Sequence, residues 1–187
     1  DRVAVPQFER AEVVKQIRDG RVQAEEERVV RRRVAGGAEG RAVQCAAQCL
    51  LCLKKGDNGV ELKTAQVKNL VAAAADCNEL RSLTAWIRYQ MSRSDGWRHC
   101  GEDSEMFGER LIGMYDGGNG LLRGALPEEY RGYADSTFRT LVAIFCGQVA
   151  RLHSFVENEQ IRNALGAQEV WRRIKSLAGN AKQGGGA

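Results

Sequence analysis

The best apolar stripe in the chain is Phe138, Leu141, Val142, Phe145, Val149 and Leu152. Its three-and-four spacing marks an amphipathic helix and predicts one long core helix over residues 130–155. A second stripe, Ile161, Leu165, Val170, Ile174 and Leu177, predicts a last helix on which Arg162 and Arg173 share a side. Upstream, Val67, Leu70, Val71 and Ala74 form one buried face of a helix capped by Thr64. Leu80, Leu83, Ile87 and Met91 do the same over residues 80–93, so Thr64 to about Arg93 forms either one helix or two parted near Asp76-Cys77-Asn78. Shorter helices are expected over residues 41–55 and 104–115. Residues 7–33 read as a highly charged helix with a loose apolar stripe, closed by Arg31-Arg32-Arg33. That suits a solvated or partner-docking arm; a nucleic-acid contact through the arginine run is the lesser alternative. Glycine-rich stretches at residues 34–40 and 116–120 read as a joint and a loop. No segment alternates as a strand would.

The expected fold is all-α. It is a compact helical bundle of about five helices over residues 41–180. A charged N-terminal helix and Gly-rich joint (1–40) precede it, and a flexible tail (181–187) follows. Two prolines, both outside the strongly periodic segments, fit this. No apolar run is long enough to span a bilayer, so no membrane role is expected. The start at Asp1 rather than Met predicts a fragment or a processed chain. Six cysteines without the spacing of a disulfide framework predict reduced thiols and a cytoplasmic setting.

Candidate chemistry narrows the picture mainly by exclusion. Cys45-x-x-x-Cys49-x-x-Cys52 has the spacing of the cluster motif of radical enzymes that cleave S-adenosylmethionine. Those enzymes place it on a loop of a large α/β barrel, whereas Ala46-Ala47-Gln48 and Leu50-Leu51 favour a helix here. On a helix the three thiols pack as small apolar groups. Cys77, His99, Cys100, Cys146 and His153 would bind a metal only if the fold gathered them, and none shows paired ligand spacing. Gly117-Gly118-Asn119-Gly120 lacks a following Gly-Lys-Ser/Thr and a preceding strand. No catalytic residue, metal or cofactor is therefore expected, and the chain is not read as an enzyme.

The basic residues are more informative. A net charge of +4 permits an anionic partner without requiring one. Thr64 and Lys68 lie four apart at an exposed helix start, where free N–H groups and a partial positive charge suit a phosphate. Arg81 and Arg88 are seven apart and nearly superimposed on the next helix, which ends in Arg93; Arg98 could extend that side. Lys63, Thr64, Lys68, Arg81, Arg88 and Arg93 thus form one candidate surface for a nucleic-acid backbone. The bland alternative is an ordinary solvated face.

Leu62-Lys63-Thr64-Ala65-Gln66-Val67-Lys68-Asn69-Leu70 resembles the "L-T-x-Q-I-R-N" signature of the small helical subunit of type III-A CRISPR effector complexes. Val149-Ala150-Arg151-Leu152-His153-Ser154-Phe155 is similar to that family's late "V-A-Y-H-K-F" segment, with one residue more. The resemblance covers roughly residues 60–155. It implies a non-catalytic subunit that stacks on copies of itself along the effector filament. It further implies contact with other effector subunits and with guide and target RNA backbones, cleavage belonging to other subunits. The rival expectation is a purely structural helical adaptor without RNA contact.

Overall fold

The computed structural model describes residues 37–55, 59–60, 62–100, 104–116, 121–126 and 134–179, with helical backbone also at Gly20, Arg21, Glu25 and Val29. The rest of the charged N-terminal helix, the loop at 117–120 and the tail at 181–187 lie outside the described residues. What is described is an all-α bundle of eight helices.

Helix α1 (residues 37–51) is apolar on nearly every side. Ala38, Ala42, Cys45, Ala46, Ala47, Cys49 and Leu50 are all buried. A helix apolar all round belongs in the middle of a bundle, and its small side chains let neighbours approach closely. The amide of Gln48 donates to the Ala178 carbonyl at 3.3 Å, and the amide of Gln148 donates to Glu39 at 3.0 Å. These bonds tie α1 to the last helix and to the longest one. The glycine-rich joint expected at 34–40 is corrected from residue 37 onward, because helix has already begun there. Ala38 extends the buried stripe of Ala42, Cys45 and Cys49 by one turn, and that burial outweighs the weak helix propensity of Gly37 and Gly40. The expected boundary between residues 40 and 41 therefore falls inside α1.

A two-residue antiparallel ribbon follows, with Lys54–Lys55 (β1) against Gly59–Val60 (β2). It delivers the chain to buried Leu62 and to α2 (Thr64–Asp76). Of the two alternatives, one helix or two, the second is present: the chain breaks after Asp76, and α3 spans Leu80–Arg93. Arg139 of the long helix donates to the Asn78 carbonyl within that break. A short α4 (Asp95–Arg98) and then α5 (Phe107–Asp116) pack against α3. The hydroxyls of Thr84 and Tyr115 meet at 3.0 Å in the α3–α5 interface.

After a 3₁₀ turn at Arg123–Ala125 comes α6 (Ala134–Glu157), the predicted long core helix. It buries Phe138, Leu141, Val142, Phe145, Cys146, Val149, His153 and Val156. A fully buried Phe of this kind contributes about 2–3 kcal/mol of hydrophobic stabilisation. Helix α6 packs extensively on α2.

The single last helix expected from Ile161 onward is two helices, α7 (Glu159–Leu165) and α8 (Ala167–Gly179). Asn158 caps α7 by accepting from the Ile161 N–H at 3.1 Å. Gly166 ends it at φ +83°, a conformation that glycine adopts without penalty. Arg162 and Arg173 consequently sit on different helices. Leu165 and Leu177, expected in the core stripe, are exposed. Val170, Trp171, Ile174 and Ala178 carry the buried face of α8.

Candidate nucleic-acid interface

The start of α2 is held from two sides. Thr64 is its first helical residue rather than its cap, a correction to the expectation above; Lys63 occupies the cap position with extended backbone. The Gln66 side chain takes over the capping work, accepting from the Lys63 N–H at 3.0 Å. Its amide nitrogen donates to the Ser94 hydroxyl at 2.7 Å, at the far end of α3. His153 of α6, fully buried, bonds through Nε2 to the Leu62 carbonyl at 2.7 Å. A carbonyl only accepts, so Nε2 carries the proton. This bond joins two sequence segments 91 residues apart, the same two that carry the family resemblance.

Because Gln66 reaches Ser94, α2 and α3 form a hairpin in which the start of one meets the end of the other. Lys63 and Arg93 therefore lie at the same end. Lys63, Thr64 and Lys68 are exposed, and neither lysine forms an ion pair with a described residue. Arg93 is also exposed, and its guanidinium donates to the Tyr89 hydroxyl at 2.9 Å.

Arg81 and Arg88 fall elsewhere. At about 100° per residue they sit roughly 120–140° around α3 from Arg93. Their flank faces α5, where Arg88 pairs with Glu109 at 3.6 Å. Both ends of that pair are exposed, so it is weak. Arg98 folds back on Asp95 of its own helix. The single basic surface expected from the spacing is thus divided: Lys63 and Arg93 meet at the end of the hairpin, Lys68 lies about 200° around α2 from Gln66, and Arg81 and Arg88 lie on the α5 flank. The spacing rule places residues around one helix and is silent on which side a neighbouring helix covers.

Two features went unnoticed in the sequence. One is the capping role of Gln66. The other is a groove of ≈ 450 Å³ between α2 and α3, lined in part by Asn69, Asp76, Trp86 and Gln90. Beside it Tyr89 stands 53% exposed. The Tyr89–Arg93 pair at i,i+4 was the available signal for this feature.

The cysteines are free thiols, four of them in the core. Burial pushes the thiol of Cys45 up to about 11 and that of Cys146 up to about 12, and raises Cys49 well above the ordinary range. Thiolates are the nucleophilic and metal-binding form, so these groups act as packing. Among the described residues no three of His, Cys, Asp or Glu gather in a way that could hold a metal ion. No described helix is long and apolar enough to cross a membrane.

Comparison with models of protein families, with curated proteins and with solved structures finds no match for this chain. What the site does must be argued from its residues.

Proposed function

We propose that this chain is a non-catalytic helical subunit of an RNA-guided type III-like effector complex in the cytoplasm, contacting guide and target RNA through their backbones. The observation that carries the reading is the meeting of the helix ends that bear Lys63 and Arg93, made by the Gln66–Ser94 bond, with exposed Lys68 one turn further along α2. Exposed lysines that pair with no described residue suit phosphates, and such contacts ignore base identity. The bond between His153 and Leu62 supports the same reading, since the two segments that resemble the small-subunit family are built as one unit.

A structural adaptor is the second reading. Leu165 and Leu177 are exposed on the terminal helices, and Arg172 and Arg173 there are both held by Glu169. Those two hydrogen-bonded arginines pull the Glu169 carboxyl down to about 2. These arginines are engaged in their own ion pairs, which makes them a suitable control.

The test is RNA affinity of the chain by fluorescence anisotropy, on two unrelated sequences, at 50 and 200 mM salt. Each phosphate contact contributes about 0.7 to the log–log salt slope on a single strand. Replacing Lys63, Lys68 and Arg93 with alanine should therefore flatten the slope by about 2. Over that fourfold salt range the three contacts account for an affinity loss of about 20-fold in the parent chain. The Arg172→Ala/Arg173→Ala control should keep the parent slope. An unchanged slope in the triple variant would favour the adaptor.

A further inference from the structure

We infer that the α2–α3 groove takes an unpaired nucleobase of a single RNA strand, with the adjoining phosphate at Arg93. This rests on the RNA reading above and adds to it a site that holds a base as well as backbone.

Helix geometry supplies the first part of the case. Trp86, Gln90 and Arg93 lie along the side of α3 that borders α2, with Tyr89 just outside them. Trp86 and Gln90 line the groove from α3, and Asn69 and Asp76 line it from α2. Asn69 and Asp76 are two turns apart, so this polar edge is about 10 Å long. Trp86 is fixed in place by edge-to-face packing on buried Trp97, with ring centroids 5.5 Å apart.

Chemistry supplies the second part. A base presents a π-face and an edge of mixed donors and acceptors. Tyr89 is a large aromatic left more than half exposed, which costs hydration unless something covers it. Its hydroxyl accepts from Arg93, whose guanidinium carbon lies over one face of the ring, 5.4 Å from the centroid. The opposite ring face is left for a second planar group, and the guanidinium is pre-positioned for a phosphate beside it. Asn69 and Gln90 each offer a donor and an acceptor, and the Asp76 carboxylate accepts from exocyclic amines. The groove thus carries Asp76 at one end, beside the break that Arg139 reaches, and Arg93 beyond the other, an order that suits a nucleotide laid base-first. A bare phosphate chain would leave Asp76 facing like charge and Tyr89 uncovered.

The experiment separates base from backbone. Tryptophan fluorescence and anisotropy are followed on titration with an eight-nucleotide single strand, the same strand in a duplex, and inorganic polyphosphate. The single strand should bind tighter than both and quench emission; the quenching should vanish in Trp86→Phe. Trp97 and Trp171 are buried and Trp86 is half-buried, so Trp86 is the accessible reporter among the three. Tyr89→Ala should weaken single-strand binding by about 5- to 100-fold, the range for one base–aromatic stack, and weaken polyphosphate binding far less, since only the positioning of Arg93 is lost there. Tyr89→Phe, which keeps the ring, should retain most of the affinity. Equal affinity for single strand and duplex, or a silent Tyr89→Ala, would overturn the base site and leave the backbone reading standing. Failure of all three ligands to bind would sink both.

Discussion

Gln66 is a single side chain whose two hydrogen bonds hold the candidate site together, so its removal is the sharpest test of the architecture. Gln66→Met keeps the length, the volume and a good helix former, and deletes both bonds. The Lys63 N–H loses its acceptor at 3.0 Å and the Ser94 hydroxyl loses its donor at 2.7 Å. Each net bond contributes about 0.5–1.5 kcal/mol, giving a loss of about 1–3 kcal/mol. Gln66 is only half-buried, and water can partly replace it, which favours the lower half of that range. In a chain of this size each kcal/mol lowers the Tm by about 2–4 °C. Ser94→Ala deletes one of the two bonds, so the double variant should cost clearly less than the sum of the singles. Urea denaturation followed by circular dichroism measures all four species. RNA affinity of Gln66→Met should fall as well, although every cation is retained, because Lys63 and Arg93 are no longer held at one end. Strictly additive costs would refute the bond across the hairpin, and so would a Gln66→Met change within about 0.5 kcal/mol, the scatter of neutral surface substitutions.

Two further outcomes follow from the core. In the folded chain Cys100 is exposed and should react with a maleimide first; Cys77, half-buried and raised by desolvation, should follow slowly. Cys45, Cys49, Cys52 and Cys146 should label only after denaturation, and mass spectrometry of timed samples would show a different order if the core reading is wrong. At Gly108 an added Cβ would sit 2.5 Å from the Met91 sulfur and 3.3 Å from Ile87, so Gly108→Val should cost about 1–3 kcal/mol. Gly108→Ala should cost much less, since the Met91 side chain can swing aside; equal denaturation midpoints for the two variants would contradict the close α3–α5 crossing.

The helices were legible because their apolar periods are strong. Phe138 to Val149 repeats over three turns, and nothing within that run competes with helix. The burial of the α1 cysteines was visible for the same reason: small apolar residues at helical spacing pack inward. Where sequence reasoning erred, tertiary packing decided. Residues 37–40 look like a joint by composition, yet Ala38 continues the most buried helix of the protein. Ile161 to Leu177 looks like one stripe, yet Gly166 divides it and turns Leu165 and Leu177 outward.

The candidate site divides along the same line. That Lys63, Lys68, Arg81, Arg88 and Arg93 are exposed could be read from the chain, because each sits off the apolar face of its helix. Which of them act together could not, because that depends on the side of α3 covered by α5 and the side that faces α2. Arg81 and Arg88 are neighbours by spacing, and α5 brings Glu109 to that flank. Lys63 and Arg93 are thirty residues apart, and one amide-to-hydroxyl bond brings their helix ends together. Phosphate recognition needs only charge and access, so a dispersed set of cations is weak evidence for it. An ordered end, with an aromatic ring and an arginine fixed to each other beside a groove, is stronger evidence. That order resides in Gln66, Ser94 and Tyr89, side chains that carry no charge at neutral pH.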